Sequence, residues 1–257
     1  MQIFDTHAHY DDRRYDNAEA LIVRLLSENV AGFIAAGHSM DANFRGCSLA
    51  AKFANVYASV GIHPHYAKSD LAQNSKNYKQ TLKDLAVSEK VVAIGECGLD
   101  YHYPGYEREV QIAVFREQLG LAFELNLPVI IHSRDAAEDT MRILREYKPR
   151  AVMHCYSGSV ETMRELMKLG ILVSFTGALT FPNARKAAEV VREVPLDMLM
   201  LETDCPYMAP QKFRGKTCDS GMLGEVAAKV AEIRGISIEE VVETCNNNAK
   251  RFFNIKF

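Results

Sequence analysis

A chain of 257 residues, 48% of them hydrophobic and 25% charged, is long enough to bury one large core and lacks the composition of a disordered, fibrous or disulfide-stapled protein. Its formal net charge of -3 excludes the basic footprint of a protein that coats long nucleic acid, so any nucleic-acid contact has to be local. Apolar runs fall short of the ~20 residues that a membrane-crossing helix needs, and the six cysteines (Cys47, Cys97, Cys155, Cys205, Cys218, Cys245) include no Cys-x-x-Cys pair, which predicts a cytoplasmic protein with no membrane partner.

In chain order, eight short β-branched or apolar runs read as strands: Ile3–His7, Gly32–Gly37, Val56–His63, Val91–Glu96, Pro128–Ser133, Ala151–Cys155, Ile171–Phe175 and Asp197–Thr203. Amphipathic segments lie between them. In Glu107–Leu125, for example, Ile112, Phe115, Leu119 and Ala122 recur on one helical face. The crossover from Tyr66 to Lys90 opens on a polar stretch (Lys68, Ser69, Asp70, Gln73, Asn74, Ser75) and reads as an excursion before a short helix. Near the C-terminus Gly235 ends one helix, and Ser237 with Glu240 makes a capping box for the next, whose Val241, Val242, Cys245 and Phe252 face the core. This alternation predicts an α/β fold, a (β/α)8 TIM barrel occupying residues 1–257 as one domain, with its active site at the C-terminal ends of the strands.

The residues that end the runs carry the chemistry: His7 and His9, His63, Glu96, His132, His154 and Asp204. One histidine at a strand end is usually a satisfied polar residue. His-x-His, Glu, His, His and Asp at the ends of strands one, four, five, six and eight together make a metal-binding donor set. Side chains two apart on an extended strand point to the same face, so His7 and His9 can grip one cation. Glu96 has two oxygens and can bridge two cations about 3.5–4 Å apart, His132 and His154 suit the second, and Asp204 can bind metal while taking a proton from the attacking water. Glu96 and Asp204 are therefore the expected catalytic residues, and His38 reads as structural. Cys97, Cys155 and Cys205 each follow a proposed ligand and are expected to face away as small buried hydrophobes. Lys212, Arg214 and Lys216 form a cationic loop suited to one or two phosphates, or else a solvated surface. Tyr101, His102, Tyr103 and Tyr106 either stack on bases or pack on a neighbouring helix.

The segments Asp5-Thr-His-Ala-His9, Gly61-Ile-His-Pro-His65, Gly95-Glu-Cys-Gly-Leu-Asp100, His132-Ser-Arg-Asp-Ala136, His154-Cys-Tyr-Ser-Gly158 and Glu202-Thr-Asp-Cys-Pro-Tyr207 resemble the motifs of TatD-type deoxyribonucleases, in order across nearly the whole chain and together with Arg214-Gly-Lys216. That family belongs to the amidohydrolase-like metal-dependent hydrolases. The resemblance implies that His7, His9, Glu96, His132, His154 and Asp204 bind metal, and that His63 and Arg214 lie near a bound phosphate. It implies a DNA substrate, in short or single-stranded ends cut from 3′ to 5′, and magnesium dependence. Ligand softness points elsewhere, since four histidines suit zinc or another first-row metal better, so the expectation is two divalent cations, Mg2+ or Mn2+ in nuclease activity with Zn2+ or another first-row ion possible. The sequence departs from the family at Thr217-Cys218-Asp219-Ser220, which bears on substrate preference. The competing reading is hydrolysis of an amide or ester, such as a cyclic amide or D-aminoacyl-tRNA. Relatives with such activities often bridge their metals with a carboxylated lysine, whereas strand four ends in Glu96 with Lys90 at its other end, which favours phosphodiesters. A non-catalytic metal-binding protein is the third reading and requires a closed coordination shell.

Overall fold

The computed structural model describes residues 2–69 and 77–257, and among these the expected strands form as β1 (Ile3–Ala8), β2 (Val30–Ala35), β3 (Val56–Val60), β4 (Val91–Asp100), β5 (Val129–Arg134), β6 (Ala151–Met153), β7 (Leu172–Phe175) and β8 (Leu199–Leu201). They make one eight-stranded sheet in the order β1-β2-β3-β4-β5-β6-β7-β8. Pairing is parallel, with registers such as Ile94 to Val129 and Val173 to Leu199. Past β8 the chain returns to β1 through a parallel bridge between Ala8 and Cys205, where the Asp204 N–H donates to His7 O at 3.0 Å and the His9 N–H to Cys205 O at 2.7 Å. With helices between the strands, this is the topology of a (β/α)8 barrel. β1, β2 and β4 are buried along their whole length, which is why β2 reads as a continuous apolar run without alternation.

Helices whose bounds lie within the described residues include α1 (Ala18–Ser27), α2 (Met40–Lys52), α3 (Tyr78–Leu85), α4 (Arg108–Leu125), α5 (Ala137–Tyr147), α6 (Val160–Lys168), α7 (Arg185–Glu193), α8 (Leu223–Arg234) and α9 (Ile238–Phe253). α4 buries the expected stripe of Ile112, Phe115, Leu119 and Ala122. α8 stops at Gly235, whose φ of 67° suits a residue without a Cβ, and α9 starts where the Ser237 hydroxyl accepts the Glu240 N–H at 3.1 Å. Of the polar stretch in the third crossover, Asp70, Gln73, Asn74 and Ser75 lie outside the described residues; the short helix after it is α3.

Two compact units can be distinguished, one of Met1–Ile34, His154–Lys168 and Leu172–Phe257, the other of Ala35–Met153 and Leu169–Ile171. In the first, α9 packs on β1 and β8 and is pinned to both by side-chain amides. Asn246 accepts the Phe4 N–H and donates to Gln2 O, each at 3.0 Å, and Asn248 donates to Leu196 O and Leu199 O at 2.8 Å. In the second, buried amides clamp backbone at strand ends where ladder partners run out. Asn43 grips Gly61 (3.0 and 3.0 Å), Gln118 grips Ile62 (2.8 and 3.0 Å), and Gln111 grips Asp100 (2.9 and 3.0 Å). Gly61 has no room for a side chain, since a Cβ there would stand 2.7 Å from the Gly95 backbone.

Strand limits differ from the sequence reading in ways that matter for the site. β3 and β6 stop early, so His63 and His154 lie in the connections that follow them, while Asp204 lies past β8 as expected. β4 instead runs four residues beyond Glu96 to Asp100, because β5 continues beside it with Gly98 opposite His132 and Asp100 opposite Arg134.

Candidate metal centres

The first unit gathers one set of metal-compatible donors. His7 sits on β1 and His9 one residue past it, and the two-residue spacing turns both rings the same way, with their Nε2 atoms 3.1 Å apart. Asp204 Oδ1 lies 3.3 Å from His9 Nε2 and 3.8 Å from His7 Nε2. Donors held about 2.0–2.2 Å from one cation stand roughly 3–3.5 Å from each other, so this trio fits a metal ion. His154 joins it, its ring stacked on His7 with centroids 4.3 Å apart. Burial pushes the Asp204 carboxyl up, but the His9 hydrogen bond and the imidazoles of His154 and His7 outweigh it and hold the group below the ordinary carboxylate range. Asp204 is thus ionised at neutral pH. Its backbone has a left-handed φ of 54°, and Cys155, after His154, has one of 46°; these sharp turns at strand ends re-aim the chain at the site.

Two further carboxylates support this set. Glu202 Oε1 faces His154 Nδ1 at 3.4 Å and accepts the Cys155 N–H at 2.6 Å, while its Oε2 accepts the Ser174 hydroxyl at 2.7 Å. Asp5 accepts the backbone N–H groups of His7 (3.2 Å) and Thr203 (2.9 Å) and the hydroxyls of Thr203 (2.5 Å) and Ser220 (2.7 Å), tying β1 to the end of β8. Burial, partly offset by these donors, raises Asp5 to about 6.

The second unit gathers another set. Glu96 Oε1 lies 2.9 Å from His132 Nδ1 and 3.6 Å from His63 Nε2. His63 Nδ1 accepts the His65 N–H at 3.1 Å, which turns its Nε2 toward Glu96. His132 Nε2 is 3.1 Å from Asp100 Oδ2, and the same oxygen is 3.0 Å from His65 Nε2. Burial of Asp100 is outweighed by the His132 hydrogen bond, the His102 N–H and the nearby imidazoles, so its carboxyl is held well below the usual range. His63, Glu96 and His132 form one metal-compatible group, and His63, His65 and Asp100 another.

The structure therefore collects His7, His9, His154 and Asp204 in one set and His63, Glu96 and His132 in the other. Sequence reasoning did not assign roles to Asp5, His65, Asp100 and Glu202. The signal was present in Asp5-x-His7, His63-x-His65 and Glu202-x-Asp204, where a second donor stands two residues from a proposed ligand. Other expectations sort by their partners. Cys97 is buried in β4, Cys205 is buried past β8 and Cys155 half-buried past β6; burial pushes all three thiols up, with Cys155 and Cys205 at about 12, so all are neutral thiols. Lys90 donates to Phe53 O (3.3 Å), Ala54 O and Val56 O (3.2 Å) at the start of β3. In the exposed loop after β8, Lys212 pairs with Glu225 at 2.7 Å, while Arg214 stands 5.7 Å from the Phe181 ring. The residues that depart from the family pattern anchor this loop: Cys218 O accepts the Tyr15 hydroxyl at 2.6 Å, and Ser220 binds Tyr10 and Asp5. Tyr101 stacks on Tyr106, His102 pairs with Asp135, and His38 packs near Tyr66.

Residues 4–254 match the model of the TatD related DNase family. The chain belongs to this family. It is 42% identical to YabD of Bacillus subtilis, an uncharacterized metal-dependent hydrolase, over 98% of this chain and 99% of that one. It is 31% identical to the 3′-5′ ssDNA/RNA exonuclease TatD of Erwinia amylovora, over 92% and 93%. Among solved structures it resembles the TatD homologue YJJV of Escherichia coli K12, with a TM-score of 0.90, 31% identity and coverage of 99% and 98%. This TatD-family chain is thus a metal-dependent hydrolase with a TIM-barrel fold.

Glu202 Oε1 stands 3.4 Å from His154 Nδ1, where its charge would favour the orientation of the imidazole if His154 binds a cation. Glu202→Gln keeps the shape and loses the charge. It is expected to weaken divalent-cation binding by roughly 10-fold or more, read by calorimetry on the metal-stripped protein. Unchanged affinity would leave Glu202 with a purely structural role.

Proposed function

We propose that the protein is a metal-dependent deoxyribonuclease that hydrolyses phosphodiester bonds, removing nucleotides from single-stranded 3′ ends, and that its compartment is the cytoplasm. The observation that carries this reading is Asp204, a half-buried and ionised carboxylate beside the imidazoles of His7 and His9 in a chain similar to named single-strand exonucleases. His7, His9, His154 and Asp204 in one set and Glu96 and His132 in the other would hold two divalent cations, Mg2+ or Mn2+ in nuclease activity. Bound cations supply Lewis acidity that acidifies water and offsets charge at the phosphate. Asp204 orients the attacking water and receives its proton. His63, Arg214 and Lys216 hold phosphate oxygens, and Lys212, already paired with Glu225, contributes less. The engagement of Lys90 with the carbonyls of Phe53 and Val56, at and before the start of β3, removes it as a bridging carbamate and supports phosphodiester over amide chemistry. No helix among the described residues is long and apolar enough to cross a membrane.

A substrate panel of single-stranded DNA, RNA, D-aminoacyl-tRNA and cyclic amides, each with several divalent metals, tests the reading; turnover of an amide or ester in place of any polynucleotide rejects it. A second expectation concerns the loop. Neutralising Lys212, Arg214 and Lys216 together should raise KM for DNA and lower the salt slope by roughly one or two units, because phosphate attraction releases bound counterions. An unchanged slope returns the loop to a solvated surface.

A further inference from the structure

Beside the second donor set, the connection after β3 and the loop after β4 line a cavity of about 530 Å³. Asp100 and His65 belong both to its wall and to that donor set. Tyr103, Tyr106 and Val110 add aromatic and apolar surface, and Lys68 adds an amphipathic stem. The volume lies within the roughly 300–1,000 Å³ of small-ligand sites and suits a base with its sugar better than a stretch of polymer.

The two tyrosines are held yet exposed. Tyr106 stacks on Tyr101 with centroids 4.6 Å apart and planes 13° apart, and the Tyr101 hydroxyl donates to Asp139 at 2.9 Å. Asp139 is in turn clamped by Arg108 (2.7 Å) and Arg142 (2.8 Å), so the base of this stack is rigid. Tyr103 sets its ring edge-on to His65 at 5.3 Å and lies near the Arg134 guanidinium, also at 5.3 Å. Tyr103 nevertheless remains 51% exposed and Tyr106 44%. The charge lining the cavity does not favour a phosphate. The Asp100 carboxyl stands 3.0 Å from His65 Nε2 in this wall, and Lys68 is paired with Glu107 at 2.5 Å. A neutral, flat, heteroaromatic group suits these walls.

We propose that this cavity is a nucleoside subsite, in which Tyr103 stacks on the base of the nucleotide whose phosphate is processed at the neighbouring donor set. The inference rests on the nuclease reading and adds to it a base-binding site that tolerates any sequence, since every base has a π-face. Such a site favours ends with a base over ends without one.

Two measurements test it. In the first, an oligonucleotide ending in 2-aminopurine, whose fluorescence falls on stacking, is titrated with the protein in EDTA so that nothing is cleaved. Quenching is expected with the wild type and with Tyr103→Phe and is expected to be lost with Tyr103→Ala; equal quenching by Tyr103→Ala overturns the subsite. In the second, with metal present, the wild type should cleave a base-bearing end roughly 10-fold faster than an abasic one, and Tyr103→Ala should bring the ratio near one. Cleavage of both ends at one rate by the wild type overturns the subsite and leaves the nuclease reading standing. Failure to cleave any oligonucleotide with any metal rejects the nuclease reading instead, and quenching of free 2-aminopurine deoxynucleoside in EDTA then decides the subsite by itself.

Discussion

Asp204→Asn is expected to lower kcat on single-stranded DNA by roughly 10²–10⁴-fold while leaving metal content and KM close to the wild type, the span ascribed to a general acid–base group. The carboxylate is placed for this role by its contacts with His9 and His7 at 3.3 and 3.8 Å, and it is ionised because those imidazoles and that of His154 outweigh its burial. An asparagine keeps a carbonyl oxygen for coordination but has no carboxylate to take a proton. Asp204 could instead serve only to shape the turn after β8, given its left-handed backbone, which asparagine also tolerates. Single-turnover cleavage with metal analysis in parallel separates the two roles. Near-wild-type rates in a metal-replete variant remove Asp204 from the chemistry.

Glu96→Gln is expected to lose at least one cation and nearly all activity while the fold persists. Glu96 is 4% exposed and turns one oxygen toward both His132 Nδ1 and His63 Nε2. Replacing the carboxylate by an amide removes the charge and one of the two oxygens with which Glu96 would hold a cation. Metal content per chain, measured after gel filtration, is the readout, with circular dichroism as the check on folding. Undiminished metal content in the variant would show that Glu96 is not a ligand.

The strands and the principal donors were legible because their signals are local. Continuous apolar runs mark strands buried on both faces, and His7-x-His9 needs only the two-residue period of an extended chain to place both rings together. What could not be read depends on partners far away in sequence. β4 passes Glu96 and delivers Asp100 to the site only because β5 runs beside it and Gln111 clamps the Asp100 backbone. The supporting roles of Asp5 and Glu202 depend on Thr203, Ser220, Ser174 and Cys155, none of them near in sequence to the carboxylate each one serves. The cationic loop looked uniform, yet Glu225 of α8 engages Lys212 and sets it apart from Arg214 and Lys216. Tyr101 and Tyr106, read as either stacking on bases or packing, stack on each other, which leaves Tyr103 as the more exposed ring.

The two donor sets are proposed to bind divalent cations and use them to cut DNA. This is tested most directly by stripping the protein of metal, titrating Mn2+ or Mg2+ back, and following both cation stoichiometry and mononucleotide release from a short single strand labelled at its 3′ end. No cleavage is expected without metal, and recovery should track the binding of two cations per chain. Cleavage that survives metal removal, or full metal loading without any release of nucleotides, would contradict this reading.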